Sequence, residues 1–510
     1  LLATKELLSG AIRNQQYPFS RLLIDLPDER RPRQLPLIAA MAGFHEEIPD
    51  TPYDLAVRFE AAADRVQAAF RFDARLYDEA TIRDFAELFE GVLRQGLANP
   101  SVRIANPPPE PFREAGDVQP PPTAGVRLHE LIESQAARNP ESLAVIDRGR
   151  ETTSGALQRA AEGLAETLAG LALDTRRPIV ILMDAGTEMI VSMLAVLRIG
   201  AAFAPLKLLS TRGGPLGGIL EALDSPCILC QPEHVADLQR LTAGPDGLRH
   251  IVTVDRLSFQ IAVQAEAAPA GAPPAAAPLL PEGGETACVL VDGREGSRSP
   301  SLVTHAELVS LFQWLNGRCG IGPDDRCLLS PGLGASEQLY DMLGVLSAGG
   351  SVEIPDAEDL KSTALLTERL LAPAITVWDL PTPLAQNLLG ELLARCAGEP
   401  RLRGPRNILL SGEKQCGSLA EELARCFPEA RITGLYAGPA GGLWTTFFPL
   451  REDAGEPHGG VTARAIPGVE HQVLDRSGQP ALLRSGELHL RSLLAASAPA
   501  LRTGLRAKAL

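Results

Sequence analysis

Apolar and polar residues alternate over 53–59 and again over 66–72. A period of two puts every second side chain on one face, so both stretches predict strands with one buried face. Ile82, Phe85, Ala86, Phe89, Val92 and Leu93 then recur at helical spacing. A hairpin and one helix bury too little apolar surface to fold alone, so these elements are expected to belong to a larger unit. From about residue 126 the pattern becomes helix–strand alternation. Leu128, Leu131 and Ile132 open one amphipathic helix, and Leu157, Ala161, Leu164, Leu168 and Leu171 mark a second. Residues 178–183 form a continuous apolar run, followed by a helix through Ile190, Met193, Leu194 and Leu197 and a short strand at Ala202-Phe203-Ala204. Unalternating strands separated by helices imply a parallel sheet covered on both faces. Thr304-His305-Ala306-Glu307 has the spacing of a capping box that opens a helix through Leu308, Leu311 and Phe312. Towards the end, Val473-Leu474-Asp475 and Gly486-Glu487-Leu488-His489-Leu490 read as short strands, so 434–510 is expected to be a mainly β subdomain.

Two proline-rich stretches punctuate this pattern. The first, 105–125, holds Pro107-Pro108-Pro109 and Pro120-Pro121-Pro122 and reads as a semi-rigid linker between domains. The second, the Ala/Pro-rich stretch 263–284, reads as a surface loop inside the larger domain. A chain of 510 residues is long enough for several folding units, and 45% hydrophobic with 22% charged residues fits a globular protein rather than a disordered one. The formal charge of −15 excludes the basic face that nucleic-acid binding needs. The most apolar stretch, 189–206, is interrupted by Arg198, so no membrane span is expected. The first residues lack a signal-peptide pattern and read as the middle of a helix, so a cytoplasmic location is expected. Cys227 and Cys230 form a Cys-x-x-Cys pair with neither a second pair nor a His cluster beside it, which predicts two buried structural thiols and no metal site.

Taken in order, the landmarks resemble a nonribosomal peptide synthetase. Tyr17-Pro18-Phe19-Ser20, Tyr53-Asp54-Leu55 and Leu76-Tyr77-Asp78 resemble the C-terminal part of a condensation domain over 1–104. Leu128-His129-Glu130-Leu131, the stretch 197–206, Val303-Thr304-His305, Gly486-Glu487-Leu488 and Arg502-Thr503-Gly504 resemble the N-terminal core of an adenylation domain over 126–510. The resemblance implies an α/β fold: an adenylate-forming core of two αβ layered subdomains and a small distorted β-barrel, preceded by an α+β condensation-domain remnant. It also implies that the family's small C-terminal subdomain lies beyond this chain. The family activates a carboxylic acid with ATP and magnesium and passes the acyl group to phosphopantetheine on a carrier protein. The condensation motif His-His-x-x-x-Asp-Gly is absent from 1–104.

The resemblance also says where this sequence departs from the pattern. The family's phosphate loop, Thr-Ser-Gly-Ser-Thr-Gly-x-Pro-Lys-Gly, falls on 291–300 when aligned back from His305. Only Gly293 and Gly296 match; Ser299 stands for the Lys and Pro300, which has no N–H, for the last Gly. Asp292 and Glu295 add negative charge, and Arg294 and Arg298 are the cations at hand. Asn-x-Tyr-Gly-Pro-Thr-Glu falls on the segment of Tyr436, Gly438, Ala440 and Gly441. The Tyr is kept, but the magnesium-holding Glu becomes Ala440 or Gly441. The ribose-binding Asp after Arg502-Thr503-Gly504 becomes Leu505, and the Asp that pairs with a substrate amino group becomes Gly334.

Charge-assisted contacts contribute about 1.5–3 kcal/mol each, so losing the Lys, Glu and ribose Asp removes about 5–9 kcal/mol. That corresponds to roughly four to six orders of magnitude in binding of the reacting state. The leading expectation is therefore a degenerate adenylation domain with no catalytic residue and no bound cofactor, serving as a structural or docking platform. Its partners would be neighbouring domains, a carrier protein and a trans-acting adenylation domain, with neither nucleic acid nor membrane. An atypical ligase that takes ATP and magnesium through Arg294 or Arg298 and accepts an acid without an amino group stays open. So does a domain that binds an acyl or nucleotide ligand without turning it over.

Overall fold

The computed structural model describes residues 37–41, 55–61, 66–72, 79, 82, 83, 85, 86, 89, 90, 93, 125–206, 216–241, 250–256, 258–265, 280, 285–291, 300–330, 338–356, 358–398, 404–412, 417–437, 443–451, 464–474, 485–492 and 501–508. Contacts divide the chain into two units, Leu1–Val118 in one and Gln119–Pro457 with Val461–Leu510 in the other. Linker residues 105–124 lie outside the described residues.

In the first unit, β1 (Leu37–Met41), β2 (Leu55–Ala61) and β3 (Val66–Phe72) form a three-stranded sheet in that order, β1 parallel to β2 and β2 antiparallel to β3. The two alternating stretches give the β2–β3 hairpin. Strand β1, Leu-Ile-Ala-Ala-Met, carries no alternation and escapes that reading. Leu55 and Val57 of β2 bury Ile82 from the helical stretch, with Phe59, Phe70, Phe72 and Phe85 packed around them.

The second unit begins with α1 (Leu128–Arg138), β4 (Leu143–Asp147), β5 (Arg150–Thr153), α2 (Ser154–Gly170), β6 (Ile179–Leu182), α3 (Thr187–Arg198) and β7 (Phe203–Leu206). It continues through α4 (Leu216–Leu223), β8 (Cys227–Cys230), α5 (Val235–Leu241), β9 (His250–Val254), β10 (Ile261–Ala265), β11 (Thr286–Leu290), β12 (Ser301–Thr304) and α6 (His305–Cys319). Then follow β13 (Arg326–Leu328), a π turn at Tyr340–Gly344, β14 (Ser351–Ile354), α7 (Thr363–Leu370), β15 (Val377–Pro381), α8 (Thr382–Gly398), β16 (Asn407–Ser411) and α9 (Gly417–Cys426). The last elements are strands: β17 (Arg431–Ala437), β18 (Trp444–Arg451), β19 (Arg464–Ala465), β20 (Val469–Leu474), β21 (Ser485–Ser492) and β22 (Leu501–Lys508).

Two mixed sheets carry the unit. One has the order β10-β9-β8-β6-β7-β11-β12, the other β19-β18-β17-β16-β15-β13-β14-β4-β5. Both are parallel in their centres and antiparallel at their edges. The period of two sorts the side chains of each strand into different cores. Ile179, Ile181, Cys227 and Leu229 face one core together with α1, α2, α3 and α6, while Val180, Leu182, Ile228 and Cys230 face another under α4 and α5. On the second sheet, Leu409 joins the first core, and Ile408 and Leu410 face a third with Leu388 of α8 and Leu423 of α9. The layers therefore run helix, sheet, helix, sheet, helix, and both sheets are covered on both faces as continuous apolar strands require.

Trp378 shows how closely the outer core is filled. It is fully buried, donates Nε1–H to the Leu370 carbonyl at 3.0 Å and meets Phe427 edge-on with ring centroids 5.0 Å apart. Gly404 admits the Phe427 ring, since a Cβ there would lie 2.3 Å from a ring carbon.

The β-rich end corrects the expectation in two respects. Strand β17 pairs with β16 in parallel from Asn407↔Arg431 onward, so β17, β18 and β19 complete the nine-stranded sheet instead of starting a separate subdomain. Only β20, β21 and β22 stand apart, as a three-stranded antiparallel sheet, and no closed barrel is formed among the described residues. Likewise β10 runs to Ala265, into the start of the stretch read as loop; 266–279 and 281–284 lie outside the described residues. Cys227 and Cys230 are fully buried, and burial first, then the neighbouring Cys230 for Cys227 and the Glu233 carboxylate for Cys230, pushes each thiol up to about 12. Among the described residues, no helix is long and apolar enough to cross a membrane.

Candidate functional site

Parallel strands leave their carboxyl ends on one edge of a sheet, and the connections that follow them are where open α/β folds hold ligands. In the nine-stranded sheet β13, β15, β16 and β17 run parallel, so the connections after Leu328, Ser411 and Ala437 leave from that edge. The topology thus puts the ends of β13 and β17, the strands that precede Gly334 and Gly438 in sequence, on the same edge of one sheet. Residues 331–337 and 438–442 themselves lie outside the described residues.

Tyr436 is described. It lies on β17 opposite Thr446 of β18, and its carbonyl accepts the Thr445 hydroxyl at 3.5 Å. The residue is only 5% exposed, which leaves almost no ring surface on which a base could stack. The phosphate-loop stretch belongs to the other sheet. It connects the antiparallel hairpin of β11 and β12, closed by the pair Leu290↔Ser301. Pro300, partly buried, stands immediately before β12, whereas Gly293, Arg294, Gly296, Arg298 and Ser299 lie outside the described residues. Gly504 and Leu505 fall inside β22, on the three-stranded sheet. Of the candidate positions that are described, Tyr436 lies on the nine-stranded sheet, Pro300 borders the seven-stranded one, and Gly504 and Leu505 lie on the three-stranded one.

Beneath the carboxyl edge lies a polar cluster that the motif reading missed. Asp379, in the middle of the apolar strand β15, is fully buried and accepts the Ser411 hydroxyl at 2.9 Å. The Thr382 hydroxyl donates to the Ser411 carbonyl at 3.1 Å, fixing the start of α8 against the end of β16. Gly412 follows at φ +152°, and a Cβ there would meet Thr382 Oγ1 at 3.0 Å. Asp341, also fully buried, accepts from the Cys327 thiol at 3.5 Å. Burial, then the Asp341 and Asp379 carboxylates, push that thiol well above its ordinary range, so Cys327 is a protonated thiol rather than a nucleophile. Tyr340 donates to Asn316 Oδ1 at 3.0 Å, and burial likewise keeps its phenol protonated. A lone carboxylate in an apolar run, as in Leu339-Tyr340-Asp341-Met342 or Val377-Trp378-Asp379-Leu380, is the signal that would have found both acids. Among the described residues, no group of three or more His, Cys, Asp and Glu side chains could hold a metal ion.

The landmarks that carried the resemblance meet elsewhere, as joints of the fold. The Leu128 amide donates to His305 Nδ1 at 3.2 Å across 177 residues, and the His129 and His305 rings pack edge to face at 5.8 Å. Burial, then His129 and Arg127, hold the His305 imidazole down to about 4; burial also lowers His129. Arg198, in the landmark 197–206, bridges Glu133 of α1 and Glu162 of α2, the latter at 3.1 Å. These groups lock helices together, and their titratable side chains are engaged in that packing.

The model of the family described as AMP-binding enzyme matches residues 132–497. A linear gramicidin synthase of Brevibacillus parabrevis is 26% identical over 417 residues, covering 76% of this chain and 8% of that protein. Pyochelin synthetase PchF of Pseudomonas aeruginosa is 25% identical over 424 residues, covering 81% of this chain and 22% of that protein. The chain thus spans less than a quarter of the length of either relative. Among solved structures, the AMPPNP-bound nonribosomal peptide synthetase FmoA3 aligns with a TM-score of 0.63 at 21% identity, over 90% of this chain and 50% of that one. A four-domain nonribosomal peptide synthetase bound to AMP and glycine aligns with a TM-score of 0.60 at 16% identity, over 87% of this chain and 31% of that one. Sheet order, landmarks and family match agree: the chain belongs to the AMP-binding enzyme family, as an adenylation-type domain of the nonribosomal peptide synthetase kind.

Proposed function

We propose that this adenylation-type domain is non-catalytic and serves as a structural or docking platform inside a larger cytoplasmic synthetase, whose carrier protein is loaded in trans or skipped. The observation that carries the reading is the joint loss of three charged nucleotide contacts, at Ser299, at Ala440 or Gly441, and at Leu505. Substrate drift alters one pocket; it does not remove a phosphate cation, a magnesium ligand and a ribose acceptor together. The 5% exposure of Tyr436, the side chain retained from the family's adenine-side segment, supports the same conclusion. Neither Ala440 nor Gly441 offers an oxygen side chain to magnesium, so the residues present do not fit the ion and no step is routed through it. The condensation-like residues 1–104 would act as a docking shoulder for neighbouring domains.

The test is Gly293→Trp in the parent synthetase. A bulky side chain in the phosphate-loop stretch should leave product formation unchanged if the domain is a platform. A collapse of output with folding intact would favour the second reading, an adenylating domain that holds phosphate through Arg294 or Arg298. Retention of Tyr436 is the observation on that side.

A further inference from the structure

Outside the candidate site, α8 and α9 bring two free thiols together. Cys396 lies in the last turn of α8 and Cys426 is the last residue of α9. The Cys396 Sγ reaches the Arg425 carbonyl at 3.9 Å, one residue before Cys426, and Cys396 packs against the core to which Cys426 belongs. Cys396 is partly exposed, whereas Cys426 is fully buried. We propose that Cys396 and Cys426 form an oxidation site: a reactive thiol and its resolving partner, which close to an intramolecular disulfide when a low-molecular-weight disulfide reacts with the folded chain.

Geometry and exposure set the order of events. Cys396 is the thiol that solvent reaches, so its thiolate attacks one sulfur of the oxidant, forming a mixed disulfide and releasing one small thiol. Cys426 then loses its proton, attacks the Cys396 sulfur and expels the second small thiol. One disulfide is reduced, one is formed, and two protein protons leave with the two released thiols. Burial, then the hydrogen bond that the Cys426 thiol makes to Cys396, pushes the Cys426 thiol up to about 12, which keeps it protonated until the mixed disulfide lies beside it. Both sulfurs sit on terminal helical turns, where the backbone yields most readily to the shorter separation that a disulfide requires. The bond would tie the ends of two helices that cover β15, β16 and β17.

Trypsin cuts after Arg395 and Arg425, so the two cysteines leave in separate peptides, 396–401 and 426–431, distinct from the one holding Cys416. The whole chain, folded and treated with oxidised glutathione, should yield these two peptides joined, two hydrogens lighter than their sum and separated again by dithiothreitol. Cys426→Ser should instead accumulate a glutathione adduct on Cys396, and Cys396→Ser should leave Cys426 unmodified. Recovery of the joined peptides from the native chain is decisive even if the buried Cys426→Ser variant unfolds. A stable glutathione adduct on Cys396 of the native chain, or two unmodified thiols after oxidant treatment, would overturn the proposal.

Discussion

His305 accepts the Leu128 amide proton through Nδ1, so its ring is neutral in the folded chain. Its folded value of about 4 lies below the ordinary 6.5. Between those limits the unfolded chain binds a proton that the folded chain refuses. The stabilisation is therefore complete above about pH 6.5 and is lost as pH falls towards about 4, a difference of about 3 kcal/mol. His305→Asn keeps an acceptor for the Leu128 amide and removes the titration, so urea midpoints measured from pH 7 to 4 should fall less steeply than those of the native chain. An identical slope would mean that another group carries the acid sensitivity. Single residues were unevenly legible in the sequence. The motif positions Pro300, Tyr436 and Leu505 could be read from neighbours with fixed spacing. Asp341 and Asp379 show in the sequence only as lone carboxylates in apolar runs, because the partners that fix them, Cys327 and Ser411, are distant in sequence and meet them only in the folded chain.

Elements read best where one local rule decided them. The Thr304 capping box is an instance: its hydroxyl accepts the Glu307 amide at 3.1 Å, and the Glu307 carboxylate accepts the Thr304 amide at 2.9 Å. Thr304→Ala should cost about 1 kcal/mol in chemical unfolding and Thr304→Ser much less, since Ser restores the acceptor. Equal losses from both substitutions would assign the effect to packing of the Thr methyl group. The continuous apolar strands β6 and β7 and the helix α3 between them were legible for the same reason, as period and length alone identify them. Strands β17, β18 and β19 were legible as part of a β-rich end but not as members of the nine-stranded sheet, because register with β16 is a tertiary property. Strand β22 was read as motif residues alone, since Arg502-Thr503-Gly504 has little strand patterning of its own.

At the scale of the whole molecule, folding and chemistry occupy different residues. The family landmarks at 128–131, 197–206 and 303–305 lie on elements packed around the core between the two sheets, where they lock α1, α2, α3 and α6. Of the departing positions that are described, Leu505 lies on the separate three-stranded sheet and Pro300 stands at the very edge of β12. Substitutions in connections leave the five-layered core intact, so such a fold can outlast its activity. The most direct test is calorimetric titration of this chain with magnesium-ATP and with AMP, alongside a thermal shift. No heat and no shift at millimolar nucleotide are expected of a non-catalytic platform. Saturable binding at micromolar concentration would contradict it and show that Arg294, Arg298 or other groups replace the lost contacts.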